Sequence, residues 1–306
     1  MSALAAAVLQ LCGVALAPLL PGTVQTLKGR LQGRRGVSPL QPYRVLRRRW
    51  SKSAVDPMGS GPIYRAAPAV AAACMLVGFA LVPLGGRSGD WSLGNDALVL
   101  VGLLALARFV MAAAAWDTGN GFALMAAARD LMLAVFGEAL LVLALLVAAL
   151  PARSTDLVAM GDAAAGTDIW GEPAHWCGAL AFALVVLVET GRQPIDNPDT
   201  HLELTMIHEG PLLEYAGRDL AYLQWAAAAR HWLVLVLAAE LFLPHPAGFG
   251  AGLAALGGGL LGLCVGLALT ETAQAKMRIL RVPSLLGLGG ALALVGVGAW
   301  VAGGAP

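Results

Sequence analysis

The chain has 306 residues, of which 58% are hydrophobic and only 13% carry a charge. Soluble globular domains carry about 25% charged residues, so this composition argues against a water-soluble protein and indicates an integral membrane protein. The net charge of +1 conceals a block of ten Lys and Arg between residues 28 and 65, where Asp56 is the only acid. Such a block is found in nucleic-acid-binding proteins, but beside so many apolar runs it favours a cytoplasmic membrane loop and no nucleic-acid partner.

Apolar runs of near-spanning length recur along the whole sequence. A membrane-crossing helix needs about 20 apolar residues. Eight runs approach that length, at residues 2–20, 66–84, 95–115, 131–151, 173–189, 230–244, 249–270 and 284–303. The first, fifth and sixth are short and are expected to take in flanking residues, such as 220–229. The sequence therefore predicts an all-α, polytopic membrane helix bundle of about eight transmembrane helices, as a single domain over residues 1–306 whose first helix is retained rather than cleaved.

Lys and Arg residues predict which side of the membrane each loop faces. The odd-numbered predicted loops hold seventeen of them, whereas the even-numbered loops hold only Arg87 and Arg153. Cytoplasmic loops are the ones enriched in Lys and Arg, so the odd loops are predicted to be cytoplasmic and both termini to lie on the outer side. A basic loop at 24–65 and an acidic loop at 189–230 then share the cytoplasmic face of a cell inner membrane.

Within the basic loop, residues 41–53 read QPYRVLRRRWSKS, and Arg alternates with Tyr43, Leu46 and Trp50. This pattern predicts a basic amphipathic helix lying on the membrane surface. Two roles stay open at this point. The helix is either an orientation signal in contact with lipid or a docking surface for a partner protein.

The acidic loop concentrates charge in a chain that otherwise has little. Seven of the ten acids that follow residue 168 lie in it, with two histidines between them: Glu189, Asp196, Asp199, Glu203, Glu209, Glu214, Asp219, His201 and His208. Carboxylates and imidazoles crowded at a membrane edge can have raised or split pKa values, which suits proton transfer near neutral pH. The simpler alternative is a solvated loop with ordinary pKa values, which composition alone favours.

Local signals divide this loop into two predicted helices. Asn197-Pro198 is a typical helix start, with an Asn cap and Pro in the first turn. Gly210-Pro211 ends that helix, and Pro211 is expected to open a second one that carries Glu214, Arg218 and Asp219.

Two charged residues fall inside the predicted spans. Arg108 lies nine residues before Asp117, and Glu138 lies eight residues after Asp130. At 1.5 Å per helical residue, both are expected on the order of 12 Å into the membrane from the same side. Ions at that depth face a partner or a wet cavity. We interpret Arg108 and Glu138 as part of a polar route, with a purely structural pair as the alternative.

No metal site is predicted for this chain. The four cysteines, Cys12, Cys74, Cys177 and Cys264, are scattered through apolar runs without a CxxC pair, and no HExxH motif is present. Isolated cysteines of this kind are small core residues. Any iron–sulfur chemistry is therefore expected in a partner.

The segment 189–204, ETGRQPIDNPDTHLEL, resembles the signature loop of the membrane subunit that anchors the peripheral arm of respiratory complex I (subunit-1 type, also called the H type). EYAG at 214–217 and ARDLMLAVFGE at 128–138 are similar to that family as well. DNPDTHLELTMIHE and AKMRILRVPSLL fit its hydrogenase branch better, because complex I proper usually has an acid at the place of His201. The chain is identified as a member of this family, most similar to the membrane anchors of formate hydrogenlyase and group 4 [NiFe] hydrogenases (hydrogenase-4 component C type).

This resemblance implies a non-catalytic membrane subunit of an oxidoreductase complex. It implies docking under a hydrogenase-like large subunit and an iron–sulfur small subunit, which carry the [NiFe] and iron–sulfur clusters, with antiporter-like membrane subunits as further partners. Proton-pathway or coupling roles fall on Glu138, Glu189, Asp196, Asp199, His201, Glu203, Glu214 and Glu271, with Arg108 and Arg192 as their charge partners. Whether a quinone binds stays open. The alternatives are a quinone-site subunit of a complex-I-like oxidoreductase and a stand-alone secondary transporter.

Overall fold

The computed structural model describes residues 3–84, 94–166, 168–196, 207–244, 246 and 248–303, without the side chains of residues 3–6 and 168. These residues form the helices α1 (Ala3–Leu16), α2 (Leu19–Leu31), α3 (Gln41–Trp50), α4 (Pro62–Leu81), α5 (Ala97–Thr118), α6 (Gly121–Ala152), α7 (Leu157–Ala164), α8 (Pro173–Glu189), α9 (Gly217–Phe242), α10 (Phe249–Ala273) and α11 (Val282–Ala302). Short 3-10 turns cover Asp168–Gly171, Gly210–Glu214 and Ile279–Arg281. No strand occurs in the described ranges, so the all-α prediction is confirmed.

Six helices are long and apolar enough to cross a membrane: α4, α5, α6, α9, α10 and α11 with the turn before it. The pair α1 and α2 makes a seventh if it is counted as one bent span, and α8 is a shorter apolar helix. Each of the eight predicted spans thus contains a helix. As expected, α9 takes in residues 220–229, but α6 begins ten residues before its predicted start, which places Asp130 in a helix rather than in a loop.

The first predicted span, residues 2–20, was expected to be one helix, but the structure has two helices with a bend between them. Helix α1 ends at Leu16, and α2 continues to Leu31 at an angle of 41°. Pro18 and Pro21 lie at the break, and proline both lacks a backbone N–H and clashes with the preceding helical turn. The start of the segment predicted as a basic loop is therefore helical. Helix α3 confirms the predicted amphipathic helix.

Helix α9 is the centre of the bundle. Every residue from 231 to 242 is buried. A helix that is apolar on all sides is expected to be enclosed by others, and α4, α8 and α10 pack against it. The outer helices pack in turn on these, α5 on α4 and α11 on α8 and α6.

Loop contacts gather at one end of the bundle, which we call the basic end. There, the Tyr64 amide at the start of α4 donates to the Asp117 carboxylate at 2.9 Å. Lys276, after α10, donates to Asp196, after α8, at 2.8 Å. The described part of the opposite end has a bridge between the segments before α5 and α7. The basic end is the one for which the distribution of Lys and Arg predicts the cytoplasm.

Gly217 fixes the join between the acidic loop and α9. Its φ is +56°, and a Cβ there would lie 2.2 Å from the carbonyl oxygen of Ser53. Glycine is the residue that tolerates both a positive φ and so close a backbone approach. The prediction of one helix from Pro211 onward is wrong, because the chain turns here: Glu214 ends a 3-10 turn, and α9 starts only at Gly217.

Candidate functional site: a buried series of charged residues

Arg108 of α5 lies among three carboxylates inside the bundle. Its side chain is only 4% exposed. Nη2 donates to Glu189 at 2.9 Å, Nη1 donates to Glu138 at 3.2 Å, and Nε lies 3.8 Å from Asp130. The contact between Arg108 and Glu138 agrees with their predicted equal depth. One guanidinium thus joins α5 to α6 and to the end of α8.

Arg230 of α9 supplies a second cation. Its Nη1 donates to Glu189 at 3.1 Å, on the carboxylate oxygen that Arg108 does not contact, and its Nη2 donates to the Leu104 carbonyl at 2.8 Å. Each oxygen of Glu189 therefore has its own guanidinium. Burying the Glu189 carboxylate without a counter-charge would cost several kcal/mol, and the two guanidinium groups compensate that cost.

His208 extends the series toward the surface of the basic end. Its Nε2 lies 3.6 Å from Asp130, and its Nδ1 lies 3.4 Å from Asp196. Lys276 donates to the other oxygen of Asp196 at 2.8 Å. Burial alone would raise the pKa of Asp196, but the hydrogen bonds and charges of His208 and Lys276 outweigh it and hold that pKa well below its usual range. Asp196 is therefore an anion at physiological pH.

Glu271, near the end of α10, is the centre of a second cluster. Its side chain is fully buried, with Arg192 Nη1 at 2.9 Å and Lys28 Nζ at 3.2 Å. The Arg192 carbonyl also accepts the Asp196 amide at 3.3 Å, so one turn of chain connects the two clusters. Arg192 was predicted to hold the acids of its own loop. Among the described residues, the carboxylate that it contacts belongs to Glu271 of α10 instead.

Glu214 lies apart from this series and anchors its loop. Its carboxylate accepts a hydrogen bond from the Asn120 amide at the start of α6. Its carbonyl accepts the Tyr64 hydroxyl at 2.7 Å, and the Tyr215 hydroxyl donates to the Tyr64 carbonyl at 2.9 Å. The two tyrosine rings are stacked with centroids 4.3 Å apart. These contacts fasten residues 214–215 to α4 and α6.

Three predicted site residues, Asp199, His201 and Glu203, lie outside the described residues, as does the helix start predicted at Asn197-Pro198.

A cavity of about 160 Å³ adjoins the charged series between α4, α5 and α9. Its polar wall is formed by Arg108, Asp130, Glu189, Thr190, His208 and Arg230, and its other walls are apolar. A buried water molecule needs about 10–15 Å³ of cavity volume measured in this way, so the cavity has room for roughly ten waters. Carboxylates and an imidazole beside ordered water form the arrangement that general acid–base proton transfer requires.

Sequence reasoning did not assign site roles to Asp130, Arg230, Lys28 or Lys276, and it named His208 only as one of the two imidazoles of the acidic loop. The signal for Asp130 is its position eight residues before Glu138, which places both on one face of a helix once α6 is begun at Gly121. The two lysines carry no comparable local signal, because their partners come from distant segments.

Comparison with known proteins identifies the family. The family model described as NADH dehydrogenase matches residues 3–295. The chain belongs to this family. It is 35% identical to hydrogenase-4 component C of Escherichia coli (strain K12) over 230 residues, which cover 75% of this chain and 71% of that relative. It is 32% identical to formate hydrogenlyase subunit 4 of the same strain over 272 residues, or 87% and 88% of the two chains.

A more distant relative is an H-type subunit of the NADH-quinone oxidoreductase of Rhodopseudomonas palustris (strain BisB5), 29% identical over 195 residues, which cover 61% of this chain and 60% of that relative. Among solved structures, a chain of the membrane-bound sulfane sulfur reductase (MBS), described as an archaeal respiratory membrane complex, has the same fold. The TM-score is 0.82 at 20% identity, over 97% of this chain and 98% of that one. The family resemblance drawn from the signature loop is confirmed, and the chain is a multi-pass membrane protein.

Proposed function

We propose that this chain is the membrane subunit of a respiratory-type hydrogenase complex, which anchors a cytoplasmic [NiFe]-hydrogenase and iron–sulfur module and couples its redox chemistry to proton movement. The observation that carries this proposal is the unbroken series of contacts between ionisable side chains from Glu138, through Arg108 and Asp130, to His208 and Asp196. Buried ions within membrane helices are costly and mark ion pathways. Similarity to hydrogenase-4 component C and formate hydrogenlyase subunit 4 supports the hydrogenase branch.

Different residues of the series have different roles in this proposal. Glu189, held by two guanidinium groups, and Asp196, held by Lys276, are fixed anions that stabilise a passing positive charge. His208 takes up and releases protons at its two ring nitrogens, passing them to Asp130, while Asp196 stabilises the protonated ring; the waters of the cavity connect these groups. The acids Asp199 and Glu203 and the imidazole of His201, from the same loop, complete the entry from the peripheral module.

Glu138 is the residue at which the route leaves this chain. Its side chain is 30% exposed, on a face of α6 where the neighbouring Val135 is 69% exposed. A carboxylate on such an apolar surface needs a polar neighbour. We assign that place to an antiporter-like membrane subunit in the inner membrane, which continues the proton route. The redox centres, in this proposal, belong to the large and small peripheral subunits.

The test is isolation of the complex through an affinity tag on this chain, in mild detergent. Co-isolation of nickel and iron with hydrogen evolution is the expected result. After reconstitution into liposomes, hydrogen-linked turnover should also move protons, read with a pH-sensitive dye. A chain that isolates alone and transports an ion without partners would overturn the proposal and favour a secondary transporter.

A second candidate function is favoured by the mixed lining of the cavity. Opposite its charged wall lie Met75, Met111 and Leu223, and ligand sites are typically apolar with a few polar groups. A quinone headgroup in this cavity would make the chain a quinone-site subunit of a complex-I-like oxidoreductase. Extraction of a stoichiometric quinone from a complex that lacks nickel would favour this function over the first.

A further inference from the structure

Helix α3 carries a row of cations for which the described part of the chain offers no carboxylate partner. Arg44, Arg47 and Arg48 are exposed. Their spacing of three and four residues places them on one face of the helix. The one acid of the surrounding basic segment, Asp56, pairs with Arg65 at 3.2 Å. On the described surface the row is therefore a patch of positive charge.

Two aromatic side chains of α3 fix how the helix lies. The Tyr43 hydroxyl donates to the Ala15 carbonyl of α1 at 2.6 Å. At the other end of α3, the Trp50 ring contacts the Tyr222 ring of α9, with centroids 4.9 Å apart. These contacts hold α3 between the break that separates α1 from α2 and the first turns of α9, and the arginines of the row are exposed on its surface.

Apolar side chains at both ends of this row decide which partner fits it. Leu40 is 52% exposed and Trp50 is 51% exposed. Exposed apolar and aromatic groups beside cations, on a helix held against the first turns of a spanning helix, are typical of the boundary between headgroups and acyl chains. An acidic protein surface would neutralise the arginines but would leave these apolar groups without a matching environment.

We propose that Arg44, Arg47 and Arg48 form a binding surface for the phosphate groups of anionic phospholipids in the adjacent leaflet. Guanidinium groups bind phosphate oxygens through paired hydrogen bonds. Leu40 and the exposed part of Trp50 lie beside the headgroups, and the contact of Trp50 with Tyr222 then holds the start of α9 at a fixed depth in the membrane.

The experiment uses the full-length protein, with the subunits that co-purify, in lipid nanodiscs. Spin-labelled phosphatidylglycerol and phosphatidylcholine report the preference for anionic lipid. Each cation near an anionic surface contributes at most about fivefold to binding. We therefore expect R44Q/R47Q/R48Q to lower the preference severalfold and R44K/R47K/R48K to keep most of it. The matched control is R30Q/R34Q/R35Q, which removes three cations around the far end of α2 and should keep the preference.

Two results would overturn the proposal: an unchanged preference in R44Q/R47Q/R48Q, or an equal loss in the control. Loss of co-purifying subunits from R44Q/R47Q/R48Q with the lipid preference intact would assign the row to protein docking instead. If that variant does not fold, the lipid preference of the wild type is measured at increasing salt concentration instead. Salt screens interactions between exposed charges, so a preference that depends on the arginines should fall. A preference for phosphatidylglycerol that does not fall as salt rises would also refute it.

Discussion

Arg108 on α5 and Glu189 at the end of α8 are joined by a 2.9 Å hydrogen bond across 81 residues of sequence, with both side chains almost fully enclosed. Removing one member of such a pair leaves an uncompensated buried charge. Each of these two residues also contacts further ions, so the pair organises the whole charged series.

The first prediction concerns this pair. Arg108→Met should destabilise the protein by about 3–5 kcal/mol, because Glu189 would keep only Arg230. Thermal unfolding in detergent measures the loss. The double variant R108M/E189Q should recover part of it, since Glu189, the most deeply buried of the three carboxylates around Arg108, is then uncharged. A single Arg108→Met variant with the stability of the wild type would show that the pair is not structural.

Glu138→Gln should separate activity from assembly. The side chain is 30% exposed and Arg108 retains Glu189, so we expect normal yield and normal thermal unfolding. Proton transfer by a positioned acid or base contributes about 100-fold or more to a rate, so hydrogen-linked turnover and proton movement should fall at least tenfold. Glu138→Asp, which keeps a titratable group, should lose less. Equal turnover in Glu138→Gln and the wild type would remove Glu138 from the route.

Lys276→Met should change the pH dependence of stability. The depressed pKa of Asp196 in the folded protein means that its stabilisation is present above its unfolded pKa of about 4 and is lost as pH falls through the lower, folded pKa. The wild type should therefore show no effect of Asp196 between pH 5 and 8. In the variant, Asp196 loses a charged hydrogen bond worth about 1.5–3 kcal/mol.

The deficit of Lys276→Met should be constant between pH 5 and 8 and should shrink only as pH falls below about 4, where protonation of Asp196 in the variant removes the need for a cation, since His208 still holds the pKa of Asp196 below its usual range. Unfolding midpoints across this pH range test the prediction. Arg278→Met, which removes an exposed cation two residues away, is the control and should behave as the wild type. A deficit that is independent of pH would exclude Asp196 as its cause.

Filling the cavity should stop the proton route without breaking any ion pair. Ala227 of α9 lines the cavity, and Ala227→Phe places a ring where the waters are expected. Turnover should fall while the complex stays intact, whereas Ala227→Ser should leave both unchanged. Full turnover in the Phe variant, with a structure showing its ring in the cavity, would mean that protons do not pass there.

Gly217→Ala should loosen the join between the basic segment and α9. The new Cβ would meet the Ser53 carbonyl at 2.2 Å, and the φ of +56° is unfavourable for alanine. Strained backbone of this kind costs about 1–3 kcal/mol. Limited proteolysis after α3 and thermal unfolding measure the effect. Gly257→Ala, at a position with open space around it, should have none.

The helices and the equal depth of Arg108 and Glu138 were predictable because each depends on local sequence. Apolar runs show which segments cross the membrane. The number of residues between a charged residue and the nearest loop gives its depth in the membrane. The bend at Pro18 is also a local signal, but the run of apolar residues conceals it. The predicted start of α6 was ten residues too late, because the charge of Asp130 suggested a loop. Buried counter-ions allow a carboxylate inside such a helix.

The pairing of ions was not predictable, because it depends on which helices become neighbours. Arg192 was expected to hold the acids of its own loop, and among the described residues the carboxylate that it contacts is that of Glu271, 79 residues away. Arg230 was counted among loop residues, since only the start of α9 at Gly217 shows that it faces Glu189 inside the bundle. A single sequence gives the number of buried charges but not their partners.

The burial of α9 on all sides has a consequence for the order in which the helices insert and pack. From residue 231 to 242 this helix has no side that faces lipid, and its hydropathy of 1.3 is the lowest of the six long spans. When α9 enters the membrane, the guanidinium of Arg230 needs the carboxylate of Glu189 as its counter-charge. Helix α8, which carries Glu189, is synthesised before α9. Helix α9 thus depends on helices that are synthesised before it, and α10 packs against it afterwards. We expect folding to follow the order of synthesis in this respect, because the contacts of Glu189 need only α5, α8 and α9, whereas Glu271 and Lys276 come with α10 and the segment after it.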